Sequence, residues 1–179
     1  MPALNRPLPS SLPYMADRYD SLQPSYLIAS IASMPRRWKD VLRVAPPKNI
    51  DDYFSVAGDD GTTAAEHVGA ALAQLELLSN AIRTTSYNIP EPLGSEVAAA
   101  VQNDGSGPWP ATAAEGLDAL TTLFEAMHDQ LTKVNTSDWN KSADAGRTTL
   151  TVVALAQGAS RVAADRLAAV EQTIRTLAD

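Results

Sequence analysis

The chain is 179 residues long, carries 21 acidic against 14 basic side chains for a formal charge of −7, and has no cysteine. A chain of this size buries roughly 70% of the surface that its unfolded form exposes, so stability requires neither a disulfide nor a structural metal. The missing cysteines exclude disulfides, zinc–thiolate centres and a cysteine nucleophile, and the acidic balance argues against nucleic acid, whose recognition needs a basic face that neutralises phosphates.

The N-terminus has no basic start followed by an apolar run, so it does not read as a signal peptide. Residues 1–24 hold Pro2, Pro7, Pro9, Pro13 and Pro24, a density that blocks helix and removes backbone donors. They read as a proline-rich N-terminal arm. It is either a free tail or an extended segment that lays Leu4, Leu8, Leu12, Tyr14 and Met15 across the rest of the chain or a second subunit.

A first helix is expected over 25–44, with Tyr26, Ile28, Ile31, Trp38, Val41 and Leu42 apolar, kinked or split at Pro35 and ended by Pro46 and Pro47. Its Arg36, Arg37 and Lys39 form the one basic cluster and read as a solvated face. A loop follows over 46–61, carrying Tyr53 and Phe54. Thr63 and Glu66 then form T-x-x-E, a capping box in which each side chain satisfies a free backbone N–H. Ala65, Val68, Leu72, Leu75, Leu78 and Ile82 recur every three or four residues, so the second helix should run to about Thr85.

A short helix is expected over 95–102, and the Gly- and Pro-rich stretch 103–110 must be loop. The third long helix spans about 111–134, with Leu117, Leu120, Leu123, Phe124, Met127 and Leu131 inward. Residues 135–146 connect, with Trp139 as a plug. The fourth helix is expected over 148–177, where Val152, Ala156, Ala159, Ala163, Leu167, Val170, Ile174 and Leu177 make a bundle seam. No strand alternation is apparent, and no run reaches the roughly 18 apolar residues of a membrane helix. The reading is an all-α protein, a four-helix bundle over 25–179 behind the arm, cytoplasmic and without a membrane partner.

The order of these parts carries a resemblance. A first helix breaks at Pro35, and a loop leads into Thr63-x-x-Glu66. A long third helix ends near Ser137, Asp138 and Trp139, and the last helix opens with Thr149, Leu150, Thr151, Val152 and Val153. Over most of 25–178 this resembles the DinB/YfiT-like superfamily, which includes the mycothiol- and bacillithiol-dependent S-transferases and the maleylpyruvate isomerase domain. The resemblance implies a metal held by one His of the second helix and an i,i+4 pair on the last. Residues four apart share a helix face, so both reach one ion. Such a metal lowers the pKa of a bound thiol or water.

The chain departs from that pattern. The position four residues after the capping-box Glu is Ala70, with His67 one turn earlier, and the last helix has no His. Gln157, Ser160, Arg161, Val162, Ala164, Asp165 and Arg166 stand where the pair belongs. An arginine is expected to take the metal's electrostatic place, pairing with Glu66 or Asp165. Glu66, His67, Arg161, Asp165 and Arg166 are therefore the candidate ligand-pocket residues.

Other constellations carry less. His128 reads as part of a solvated face with Glu125, Asp129 and Gln130. The E-x-x-H pairs of a di-metal bundle, a calcium loop at Asp59-Asp60-Gly61, a phosphate loop at Gly105 and Gly107, and a hydrolase triad all lack their required partners. Trp38, Trp109 and Trp139 read as packing residues.

Two functions follow. The first is a DinB-like bundle with a degenerate metal site, acting as a small-ligand-binding or interaction module, homodimeric and without a cofactor. The second is a metal-dependent thiol S-transferase or isomerase whose zinc or nickel is held by a rebuilt site of His67 and Asp165, with Glu66 or His128 as further candidates.

Overall fold

A computed structural model describes residues 17–43, 49–89 and 91–178. Most of the expected arm, with Leu4, Leu8, Leu12, Tyr14 and Met15, lies outside them, as do Val44, Pro46 and Pro47. In chain order the elements are α1 (Asp17–Asp20), α2 (Pro24–Arg43), α3 (Asp51–Phe54), α4 (Ala64–Ser86), α5 (Ser95–Val101), α6 (Ala113–Thr132), a single 3-10 turn (Asp138–Asn140), β1 (Ser142–Ala145), β2 (Thr148–Thr151) and α7 (Val152–Ala178). The described chain is mostly helical, and none of its helices is long and apolar enough to cross a membrane.

Four helices are long, and each packs on two of the others: α4 on α7 most extensively, α7 on α2, α2 on α6, and α6 on α4. The faces that meet are those with helical spacing. Leu27, Ile31, Met34 and Trp38 of α2 are all 0% exposed. That face explains why α2 is one continuous helix through Pro35, where a break was expected as one outcome. An interior proline costs about 3 kcal/mol. Each fully buried large apolar side chain returns about 1.5–3 kcal/mol.

The start of α4 is as the sequence spacing requires. Thr63 is extended (φ −89°, ψ 157°). Its Oγ1 accepts from the Glu66 N–H at 3.0 Å, and its own N–H donates to Glu66 Oε2 at 2.7 Å. Both α4 and α5 end with an asparagine in the left-handed region, Asn88 (φ 51°) and Asn103 (φ 59°). The N–H of Asn103 donates to Ala100 and that of Asp104 to Ala99, the double bond that closes a helix C-terminus.

The direction of the helices decides the connections. Gly116 at the start of α6 lies against Val68 at the start of α4, and Ser79 of α4 bonds Gln130 near the end of α6. The two helices are therefore parallel. Gly58, just before α4, packs on Thr173 late in α7, while Ser86 at the end of α4 accepts from Lys141, just before α7's hairpin. So α4 and α7 are antiparallel. The segment from α4 to α6 must return along the length of α4, and α5 with residues 102–112 makes that return.

It runs in close contact. A Cβ on Gly69 would lie 2.7 Å from the Pro108 carbonyl oxygen and 2.8 Å from Trp109 Cα, and one on Gly107 would lie 2.5 Å from Ala73 Cβ. The backbone of Pro108–Trp109, not the indole, meets α4. Trp109 is accordingly 60% exposed, contrary to the packing role expected of it, whereas Trp38 and Trp139 are 0% and 6% exposed.

Residues 142–151 correct the expectation of no strands and of a last helix beginning at 148. β1 and β2 pair antiparallel, Ser142 opposite Thr151 and Ala145 opposite Thr148. Gly146 takes φ +68° at the first turn position, as a tight two-residue hairpin requires. Thr148, Thr149 and Thr151 favour the extended chain. The Thr151 hydroxyl accepts from the Ala154 N–H at 3.1 Å and so starts α7.

Gly69→Ala should lower stability by about 1–3 kcal/mol, because the atoms it meets are backbone and cannot yield. Thermal unfolding measures this; a variant as stable as the parent would mean that the loop does not press on α4.

Candidate functional site

The expected pocket residues lie on α4 and α7, and α5 with its exit loop forms a third side. Their environments differ. Glu66 is engaged by the capping box through Oε2. Its bonds with the Thr63 backbone and side chain hold its carboxyl below the usual range, and it forms no ion pair with Arg161 or Arg166, which corrects that half of the expected pairing.

His67 is buried at 8% exposure. Neither ring nitrogen has a hydrogen-bond partner among the described residues. Its nearest charge is Asp60, with 3.8 Å between Nε2 and Oδ2, too long for a hydrogen bond. Burial pushes its pKa down, the Arg166 charge adds to this, and Asp60 and Glu66 oppose it. The imidazole is therefore neutral at pH 7. Asp60 also borders a cleft of about 150 Å³ with Asp59, Ala169, Gln172, Thr173 and Thr176.

The two arginines point inward and bind the end of α5. Arg161 is 6% exposed. Its Nη1 donates to the Val101 carbonyl at 2.8 Å and its Nη2 pairs with the Asp20 carboxylate. Arg166 donates from Nε to Asn103 Oδ1 at 2.9 Å, and from Nη2 to the Asn103 and Gly105 carbonyls at 3.2 and 3.1 Å. Carbonyls at a helix C-terminus lack intrahelical partners and carry partial negative charge. Two guanidinium groups from α7 satisfy those of α5 and its exit loop.

Asp165 is half-buried between them in sequence. Burial raises its pKa, while Arg161, a hydrogen bond from Asn103 and Arg166 oppose this. Among the described residues Asp165 forms no direct ion pair with either arginine; that of Arg161 is with Asp20.

Sequence reasoning missed Gln74. It lies two turns after His67 on α4, is 1% exposed, and neither amide atom has a partner among the described residues. Gly105 sits directly over it, since a Cβ there would lie 2.7 Å from Gln74 Nε2. The available signal was a lone carboxamide between Ala71 and Leu75 on an apolar face.

Ala70 is 4% exposed. Among the described residues, no three His, Asp or Glu side chains converge where a cation could sit, so His67 and Asp165 are not joined by a third ligand. His128 is half-buried on α6. Compared with known proteins, the chain matches no family model, and no curated protein or solved structure is significantly similar to it.

The pKa shifts give two opposite pH effects. His67 titrates below its ordinary 6.5 in the fold, so the unfolded chain binds more protons and stability falls as pH drops below about 6.5. His67→Gln should remove that loss, measured by urea unfolding at pH 7.5 and 5.5. Asp165 titrates above its ordinary 3.8, so its contribution is lost as pH rises from that value through the folded one. Asp165→Asn should raise the unfolding midpoint at pH 7 and leave it unchanged below pH 3.

Proposed function

We propose that the chain is a divergent DinB/YfiT-like four-helix bundle whose metal site is degenerate, and that it serves as a small-ligand-binding module. Support for the fold is the arrangement of α2, α4, α6 and α7, with the capping box at the start of α4 and a Trp139-containing connection before α7. Support for the lost metal site is chemical. The position where the resemblance places a His is Ala70, and the region of the paired ligands holds Arg161 and Arg166. A fixed cation beside a divalent metal opposes its binding.

The observation that carries ligand binding is the pair His67 and Gln74. Buried polar side chains are nearly always hydrogen-bonded, and an unpartnered one costs about 1–3 kcal/mol. Here an imidazole and a carboxamide share one face of α4, with four nitrogen and oxygen atoms that have no partner among the described residues. Such groups complement a small molecule that both donates and accepts hydrogen bonds. A cytoplasmic homodimer belongs to the same reading.

Two measurements test it. Protein purified without an affinity tag and offered zinc or nickel should retain well under one equivalent by elemental analysis. One equivalent, lost in His67→Ala, would favour the metal-dependent thiol-transferase or isomerase reading instead. Gln74→Leu should raise stability by about 1–3 kcal/mol, because it removes an unsatisfied amide. A fall in stability would show that the amide has a structural partner and is not kept for a ligand.

A further inference from the structure

Arg161 differs from Arg166 in what balances it. Its side chain is 7% exposed, and its charge is permanent. A buried charge without a counterion is strongly unfavourable, so the interior of the protein requires an anion at this point. The anion in direct contact is Asp20, whose own side chain is 52% exposed, while the half-buried Asp165 lies farther off. The guanidinium belongs to the core, while the carboxylate is brought to it from the surface by the four-residue helix α1. α1 packs on α7. Its other ties are Gln157 Nε2, which donates to the Asp20 and Leu22 carbonyls at 2.9 and 3.2 Å, and the half-buried Tyr19 and Leu22.

Asp20 does not fill the site. Nη2 holds the carboxylate and Nη1 serves Val101, but Nε is buried and has no partner among the described residues. The next residue back, Ser160, is 0% exposed and its hydroxyl is also unpartnered. A carboxylate meets a guanidinium best through two parallel N–H···O bonds. A free carboxylate in place of Asp20 can take Nε and Nη2 together, which the tethered side chain does not.

We propose that Arg161 is a binding site for a small organic carboxylate, that Asp20 is its intramolecular stand-in, and that α1 is displaced when the ligand binds. This rests on the reading of the chain as a ligand-binding module and assigns a ligand class to its α7 side, independently of His67 and Gln74.

Acetate is the probe, with sodium chloride at matched ionic strength as the reference. In the full chain, Asp20→Ala should unfold at lower temperature than the parent, and acetate should raise its Tm by about 2–4 °C. The same acetate should leave Asp20→Ala/Arg161→Met unchanged. Because the chain has no cysteine, a fluorophore on Ser21→Cys reports α1 alone, and its anisotropy should fall as acetate saturates the parent protein. Asp20→Asn, which keeps the side chain's size, serves in place of Asp20→Ala should the latter not fold. An equal acetate effect in the Arg161→Met double variant, or none in either single variant, overturns the proposal. Rescue that persists in Asp20→Ala/His67→Ala separates this site from the α4 face. Failure of the Gln74→Leu test with rescue intact would remove the α4 reading and leave this one.

Discussion

Because α4 and α6 run parallel, the chain cannot pass between them by a short turn. α4 has 23 residues, about 35 Å of helix at 1.5 Å per residue, and the segment that follows must recover that distance. Most other features of the site are consequences. The return path lies along α4, so α4 presents Gly69 and Ala73 where the returning backbone touches it, and that backbone presents Gly107. Small residues here are a matter of separation rather than of flexibility. The path also deposits the C-terminus of α5 beside α7.

A helix end laid against another helix leaves carbonyl groups without intrahelical partners. The arginines of α7 answer that need, Arg161 at Val101 and Arg166 at Asn103 and Gly105. The left-handed Asn103 turns the chain so that its side-chain oxygen and its carbonyl meet one guanidinium. The region that would hold a metal in the proposed family is thereby a place where a crossing connection is fastened. His67, Gln74, Ser160 and the Nε of Arg161 are polar groups in this neighbourhood that the fastening leaves without a partner among the described residues.

Much of this architecture was legible, and the parts that were not have identifiable reasons. The start of α4 could be read because both halves of the capping box are side chains in the sequence. The apolar faces of α2, α4, α6 and α7 could be read because burial there follows the 3.6-residue period. The hairpin could not. β2 is exposed at Thr148 and Thr149 and half-buried at Leu150 and Thr151, so no alternation marks it, and its apolar end merges with Val152 and Val153 of α7. The arginines were found as candidate pocket residues but not their role, since three of their partners are main-chain carbonyls about sixty positions away, which no side-chain pattern encodes. The Gly69–Gly107 contact was hidden in the same way, because it depends on the path of a loop. Trp109 was misjudged because an aromatic between two prolines resembles a packing residue, whereas the backbone takes that place.

α7 touches α1, α2, α4 and α5, and on the ribosome it is made after all of them. Synthesis at about 5–20 residues per second makes the 27 residues of α7 in about 1–5 s. During that interval the apolar faces of α2 and α4 exist without the surface that covers them, and the carbonyls at the end of α5 have no guanidinium. The earlier helices therefore cannot complete their shared core until α7 arrives. The arrival of α7 then closes the core and fastens the crossing connection in one step.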